Sequence, residues 1–156
     1  MTTVGERSAA ITGIGSSAIG RRLGREPLAL AIDACMAAIR DAGLSPRDID
    51  GATSYPGGST LGPPGYVGPG VSEVQDALGL AIEWSASGIE STGPLGPVFN
   101  ACAAVATGLA THVLCFCTVF EASARTVQAG KPFLGAGGRV GGALQWTAPF
   151  RALAAN

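Results

Sequence analysis

This sequence is short of the groups that much enzymatic and nucleic-acid chemistry draws on. Its 156 residues include one histidine, two tyrosines and only 13% charged side chains, against about 25% in an ordinary soluble domain. With 10 Lys and Arg set against 11 Asp and Glu and a net charge of -1, there is no basic excess to neutralise phosphates. Charge therefore gives no case for nucleic-acid binding. The four cysteines, Cys35, Cys102, Cys115 and Cys117, lie in apolar segments. Cys115 and Cys117 have the spacing of same-face positions on a strand rather than the CxxC of a zinc knuckle or redox pair, so no metal site is expected. All four are expected to be buried free thiols in a reducing compartment. The N-terminus has no charged segment leading into an apolar one, so no signal peptide is read. The apolar runs are broken by glycine well before the roughly 20 residues of a membrane span. A cytoplasmic protein is the expectation. Lastly, no GxGxxG follows a strand and opens a helix, and the glycine run GAGGRVGG at 135–142 is assigned no phosphate role.

What the chain does have is apolar surface, at 47% hydrophobic residues. A single domain of this length, residues 1–156, would bury roughly 70% of its unfolded surface. The low charge leaves much of the remainder poorly solvated and points to a covered interface. Residues 8–15, SAAITGIG, read as a buried first strand with Ile11 central. Pro27 suits a first helical turn, and Leu28, Ile32, Cys35, Met36 and Ile39 recur at helical spacing to Ala42, with Gly43 as left-handed cap and Leu44 covering the end. Ser45, Pro46 and Asp48 mark another helical start, and Ile49 to Ser54 a second strand.

From Tyr55 to Gly70 the chain is too rich in Gly and Pro for regular structure, and long loops inside compact domains are often binding loops or lids. Tyr55 and Tyr66 are the only phenols available for proton transfer; packing or interface contact is the competing reading for each. Ser72 with Gln75 reads as a capping box for a short helix to about Leu78, and Leu80 to Trp84 as a strand. Pro97 to Thr107 is apolar on nearly every face, which predicts a helix buried on all sides. Val113 to Val119 is a continuous apolar run of the kind covered on both faces. A helix-compatible stretch, 122–130, follows.

The span Glu90 to Glu121 thus runs as a turn ending in Gly93, a small-residue helix carrying Ala101, Ala104 and Ala106, a break at Gly108, and HVLCFCTVFEAS. This order resembles the nucleophile segment of the thiolase superfamily. More narrowly it is similar to the lipid-transfer-protein or sterol-carrier-type branch, which includes thiolases and steroid side-chain aldolases. The likeness extends over nearly the whole chain, from SAAITGIG through PLALAIDACMAAIRDAGLSPRDIDG to Trp146, Pro149 and Phe150, which match a WxxPF element.

The resemblance implies an α/β fold, the N-terminal half of two βαβαβαββ halves, with a layered mixed β-sheet and a buried central helix. In thiolases a cysteine at the turn before this helix is acylated by a CoA thioester. Here that turn is Glu90, Ser91, Thr92 and Gly93. A serine would need a dedicated base, and His112 stands far along the sequence, at the start of the next strand. Ser91 is therefore read chiefly as a turn or helix-start residue. Glu90, Ser91 and Gly93 remain candidate substrate contacts, and Tyr55, Tyr66 and Ser91 the candidate catalytic groups. Arg21, Arg22 and Arg25 are either solvated loop or a CoA phosphate contact.

Two functions follow from the resemblance. One is a retro-aldol lyase acting on acyl-CoA or steroidyl-CoA esters, which needs no acylated cysteine and no cofactor beyond the CoA of its substrate. The other is a non-catalytic thiolase-like interaction or scaffold subunit. In either, half of a layered fold leaves apolar surface in water at a cost of roughly 2.5 kcal/mol per 100 Å². A homo-oligomer, or a hetero-complex with an OB-fold acyl-CoA-associated protein, is expected.

Overall fold

The computed structural model describes residues 8–21, 23–55, 68–87 and 93–119. Among these residues three helices and three strands alternate: α1 (Pro27–Asp41), β1 (Gly51–Tyr55), α2 (Val71–Leu78), β2 (Trp84–Ser87), α3 (Leu95–Thr107) and β3 (Val113–Cys117). The strands form one sheet in the order β2-β1-β3. Both pairings are parallel, so among the described residues the sheet is not the mixed one expected.

Helix α1 starts at Pro27, whose missing N–H costs nothing in the first turn. It ends at Asp41, and Gly43 just beyond takes a φ of 71°. The Gly43 and Leu44 amides bond back to the carbonyls of Arg40 and Ile39, and Leu44 packs against the core. A 3₁₀ turn, Pro46–Asp48, is locked by the Asp48 carboxylate, which accepts from the Ser45 amide at 2.8 Å and its hydroxyl at 2.7 Å. Helix α2 starts two residues earlier than a Ser72 cap would put it. Gly70 precedes it, and the Glu73 carboxylate accepts from the Gly70 amide at 2.8 Å.

One face of the sheet is covered by α1 and α2. Ala31, Cys35 and Ile39 of α1, Val74 of α2 and Leu114 and Phe116 of β3 share a single buried cluster. Ala52 and Ser54 stand beside Leu114 and Phe116 in the register and face the same way. The other face carries α3, whose buried residues are small: Gly96, Pro97, Ala101 and Ala104. They let the helix lie close to β1.

Several expectations change. Residues 8–15 form no strand. They lie along α1, where a Cβ on Gly13 would meet the Ala38 carbonyl oxygen at 2.4 Å and one on Gly15 that of Ala34 at 2.4 Å. Ile11, expected at the centre of the sheet, is 75% exposed. Helix α3 is buried on one side only, with Phe99 63% exposed opposite the buried stripe. Strand β3 is fully buried on one face, at Leu114 and Phe116; on the other, which α3 overlies in part, Cys115 and Cys117 remain exposed. An apolar run gives no information about which of its faces finds a cover. The strand expected at Leu80–Trp84 begins only at Trp84, because pairing starts where the Glu83 and Trp84 amides reach the Asp50 carbonyl, at 2.8 and 3.2 Å.

Asp50 acts on the other side as well. Its carboxylate accepts from the Thr111 amide at 2.8 Å and the His112 amide at 2.8 Å. Burial pushes this carboxyl up, but the His112 and Thr111 amides outweigh it and hold the group below its ordinary value. A carboxyl depressed in the folded state adds stability above the unfolded value of about 3.9 and loses it as pH falls through the folded one. Asp50→Ala is expected to lower unfolding free energy by about 1–2 kcal/mol at neutral pH, the usual value for charged hydrogen bonds reduced for partial exposure. Urea midpoints should show the wild-type advantage shrinking below about pH 4; a gap unchanged by acid would contradict the ionic role.

Candidate functional site

Parallel strands bring all their carboxyl ends to one edge, and crevices form there when successive crossovers leave on opposite faces. In this sheet β1 is the divide: α2 carries the connection to β2 on one face, and α3 carries the return to β3 on the other. At that edge lie Tyr55, half-buried and beside Cys117 in the register, Ser87 at the end of β2, and Thr118, buried just beyond β3. Gly68 passes so close to the end of β3 that a Cβ there would sit 2.7 Å from the Thr118 carbonyl oxygen. The approach to α2 therefore packs against Thr118.

Gly93 opens α3 at the same edge. Its φ of 67° is one that L side chains avoid, and its carbonyl accepts from the Gly96 amide at 3.0 Å. The residue before the helix is Pro94, in helical conformation. Of the sequence-derived candidates, Tyr55 and Gly93 are thus placed at this edge. Tyr66, in the connection from β1 to α2, and Glu90 and Ser91, in that from β2 to α3, lie outside the described residues, as do 122–130, the glycine run at 135–142 and the Trp146 element.

His112 is at the opposite end of the strands. Its Nδ1 lies 3.1 Å from the Asp48 carbonyl oxygen, and a five-residue β3 separates it from the carboxyl edge by about 16 Å. It cannot serve as base for a group there. Arg25 is paired with Asp33 rather than free for a phosphate.

The cysteines are not all buried, as had been expected. Cys35 is, and burial pushes its thiol up to about 12. Cys102 is exposed, midway along α3 and not at its amino end. Cys115 is exposed as a residue, yet its sulfur lies 3.9 Å from the Pro97 carbonyl oxygen under α3. Desolvation, with the neighbouring Cys102 adding to it, pushes this thiol up to about 11. Burial thus disfavours the thiolate at Cys35, Cys115 and Cys117.

Sequence reasoning missed Thr53 and Ser54. Both hydroxyls are fully buried, and neither finds a hydrogen-bond partner among the described residues. Leaving such a group unpaired costs about 1–3 kcal/mol. Ser54 stands one residue from Tyr55 and the carboxyl edge. The visible signal was a polar pair inside the strand GATSY.

The protein so defined is an α/β chain with a small parallel sheet and a candidate site edge at its carboxyl ends, and its homologues are an aldolase and a CoA lyase. It is 35% identical over 113 residues to the steroid side-chain-cleaving aldolase of Thermomonospora curvata, covering 70% of this chain and 26% of that protein. Over 47 residues it is 49% identical to the 17-hydroxy-3-oxo-4-pregnene-20-carboxyl-CoA lyase of Mycobacterium tuberculosis, 30% of this chain and 12% of that one. Among solved structures it is similar to a chain of the Ltp2-ChsH2(DUF35) aldolase, with a TM-score of 0.65 and 28% identity over 90% of this chain and 33% of that chain. No family model matches. The chain spans about a third or less of the length of each relative.

No described residue crowds Gly93, so among them a substitution meets only the backbone penalty. Gly93→Ala is expected to lower unfolding free energy by about 1 kcal/mol, read as a reduced urea midpoint. An unchanged midpoint would show that the turn adjusts to a negative φ.

Proposed function

We propose that this chain is the N-terminal half, a single domain over residues 1–156, of a thiolase-superfamily lyase that cleaves the side chain of a steroidyl-CoA by retro-aldol chemistry. The observation that carries this reading is its 35% identity to a steroid side-chain-cleaving aldolase over 70% of the chain. The turn Glu90 to Gly93, which holds no cysteine, agrees with it.

The name of the second relative specifies the substrate chemistry of that protein. A hydroxyl on carbon 17 lies β to the thioester carbonyl attached at carbon 20. Removing the hydroxyl proton lets the C17–C20 bond break, its electron pair passing into the thioester enolate. The products are a 17-ketone and, once carbon 20 takes a proton, a shortened acyl-CoA. Such a reaction needs a base, hydrogen-bond donors toward the enolate oxygen and a proton return, with no redox change. On this chain Tyr55 and Tyr66 are the phenols offered for proton transfer, and Ser91 the remaining candidate. Glu90, Ser91 and Gly93 are the proposed substrate contacts. CoA enters as part of the substrate, with no separate cofactor, and the setting is the cytoplasm. Among the described residues no helix is long and apolar enough to cross a membrane.

A non-catalytic interaction subunit is the second reading, favoured by Leu95 and Phe99, both largely exposed on α3. Under either reading the chain works in an assembly, as a homo-oligomer or with an OB-fold acyl-CoA-associated partner; the solved relative is itself named as a two-component aldolase.

Calorimetry with 17-hydroxy-3-oxo-4-pregnene-20-carboxyl-CoA, with and without a candidate partner, should show saturable binding. Release of the 17-ketone in the assembly would separate lyase from scaffold, and absence of binding in both settings would overturn the steroidyl-CoA reading. Cys102→Ala should leave any CoA-dependent activity within roughly an order of magnitude, since mid-helix Cys102 lacks the free amide donors of a helix amino end. A stable acyl adduct on Cys102 would refute this. Sedimentation at micromolar concentration should show association rather than a stable 15.5 kDa monomer.

A further inference from the structure

Helix α3 brings its amino end to the carboxyl edge of the sheet, just after Gly93. A helix ordinarily leaves its first four amides without partners inside the helix, and such amides attract anions and lower the pKa of a neighbouring thiol. In α3 the four positions are Pro94, Leu95, Gly96 and Pro97. Pro94 and Pro97 carry no N–H, and the Gly96 amide donates to the Gly93 carbonyl at 3.0 Å. What remains is the Leu95 amide, one donor in place of four.

The backbone shows how this comes about. Helices α1 and α2 are entered from Glu26 and Gly70 in extended conformation, the geometry in which a capping group faces the first amides. Helix α3 is entered from Pro94 at φ -59° and ψ -18°, already helical. With Gly93 at φ 67°, a tight turn closed by Gly96 runs directly into the helix and engages an amide that would otherwise point outward. Pro97 is among the buried residues of α3, so packing fixes its place.

We propose that Pro97 is a specificity-determining residue: it withholds an amide where Gly96 has already engaged its own, and so keeps the amino end of α3 from activating a nucleophile against a CoA thioester. In acyl transfer a thiolate attacks the thioester carbonyl carbon, a new S–C bond forms, the bond to the CoA sulfur breaks and CoA leaves as its thiolate. A retro-aldol lyase must draw electrons into that carbonyl without letting it be attacked. The relevance to CoA esters rests on the lyase reading above; the disarmed helix end does not, and it is measured without the steroid substrate.

Leu95→Cys places a thiol at the first helical position, which is 60% exposed, and leaves both prolines and the Gly96 bond in place. Alkylation of the full chain by iodoacetamide, followed against pH by mass spectrometry of the peptide around position 95, reads the pKa of the introduced thiol apart from those of the native cysteines. A value within about half a unit of the free thiol's 8.5 is expected. Adding Pro97→Val, which restores an amide on a side chain of similar volume, should lower it by at least about half a unit, a roughly threefold larger thiolate fraction at pH 7. Pro97→Ala should do the same, which separates the amide from the side chain. With acetyl-CoA as acyl donor, the acetylated thiol should accumulate faster once the amide is restored. The proposal is overturned if Leu95→Cys alone reads below about 7.5, the range of thiols activated at helix amino ends. It is overturned as well if both Pro97 variants leave the pKa unmoved, or if acetyl transfer does not rise as the pKa falls. Failure of the steroid reading shows in the calorimetry and leaves these outcomes untouched.

Discussion

A parallel sheet has no hairpins to set its register, so some other contact must do it. In this chain that contact is Asp50. Its amide reaches the His112 carbonyl, its carbonyl accepts the Glu83 and Trp84 amides, and its carboxylate holds the Thr111 and His112 amides. One residue, immediately before β1, thereby aligns the amino ends of all three strands. Every placement at the carboxyl edge is measured from that line. A slip of one residue would turn Ser54 and Phe116 to the opposite face and shift Tyr55 along the sheet.

Much of this was legible in the sequence where local chemistry decides structure. Pro27 and Gly43 bracketed α1, Ser45 and Asp48 marked the 3₁₀ turn, and Gly93 and Gly108 fall where positive φ is needed. These signals act within a few residues. What could not be read were the outcomes of long-range competition. SAAITGIG has the composition of a strand, but two glycines that seat tightly on α1 hold it away from the sheet. The all-round apolarity of α3 predicted full burial, yet a helix can press only one stripe of small residues against a sheet.

The site was legible in outline and not in content. Tyr55 and Gly93 came from counting rare phenols and reading a turn, and the parallel topology brings both to one edge. Thr53 and Ser54 escaped notice because serine and threonine in a strand are ordinary until burial is known. His112 shows the converse. Sequence distance alone made it doubtful as a base, and the strand length between it and the carboxyl edge settles the matter physically.

The shared core has a consequence in time. Part of the cluster that holds Cys35 and Ile39 is supplied by Leu114 and Phe116, in the last described strand. At synthesis rates of about 5–20 residues per second, roughly 70 residues separate the completion of α1 from the emergence of β3, an interval of about 4 to 14 s. Throughout that interval the nascent α1 carries an apolar stripe whose cover from β3 has not yet formed. Chaperone attention is therefore to be expected early in the life of this chain, on its first helix, before any strand has been registered.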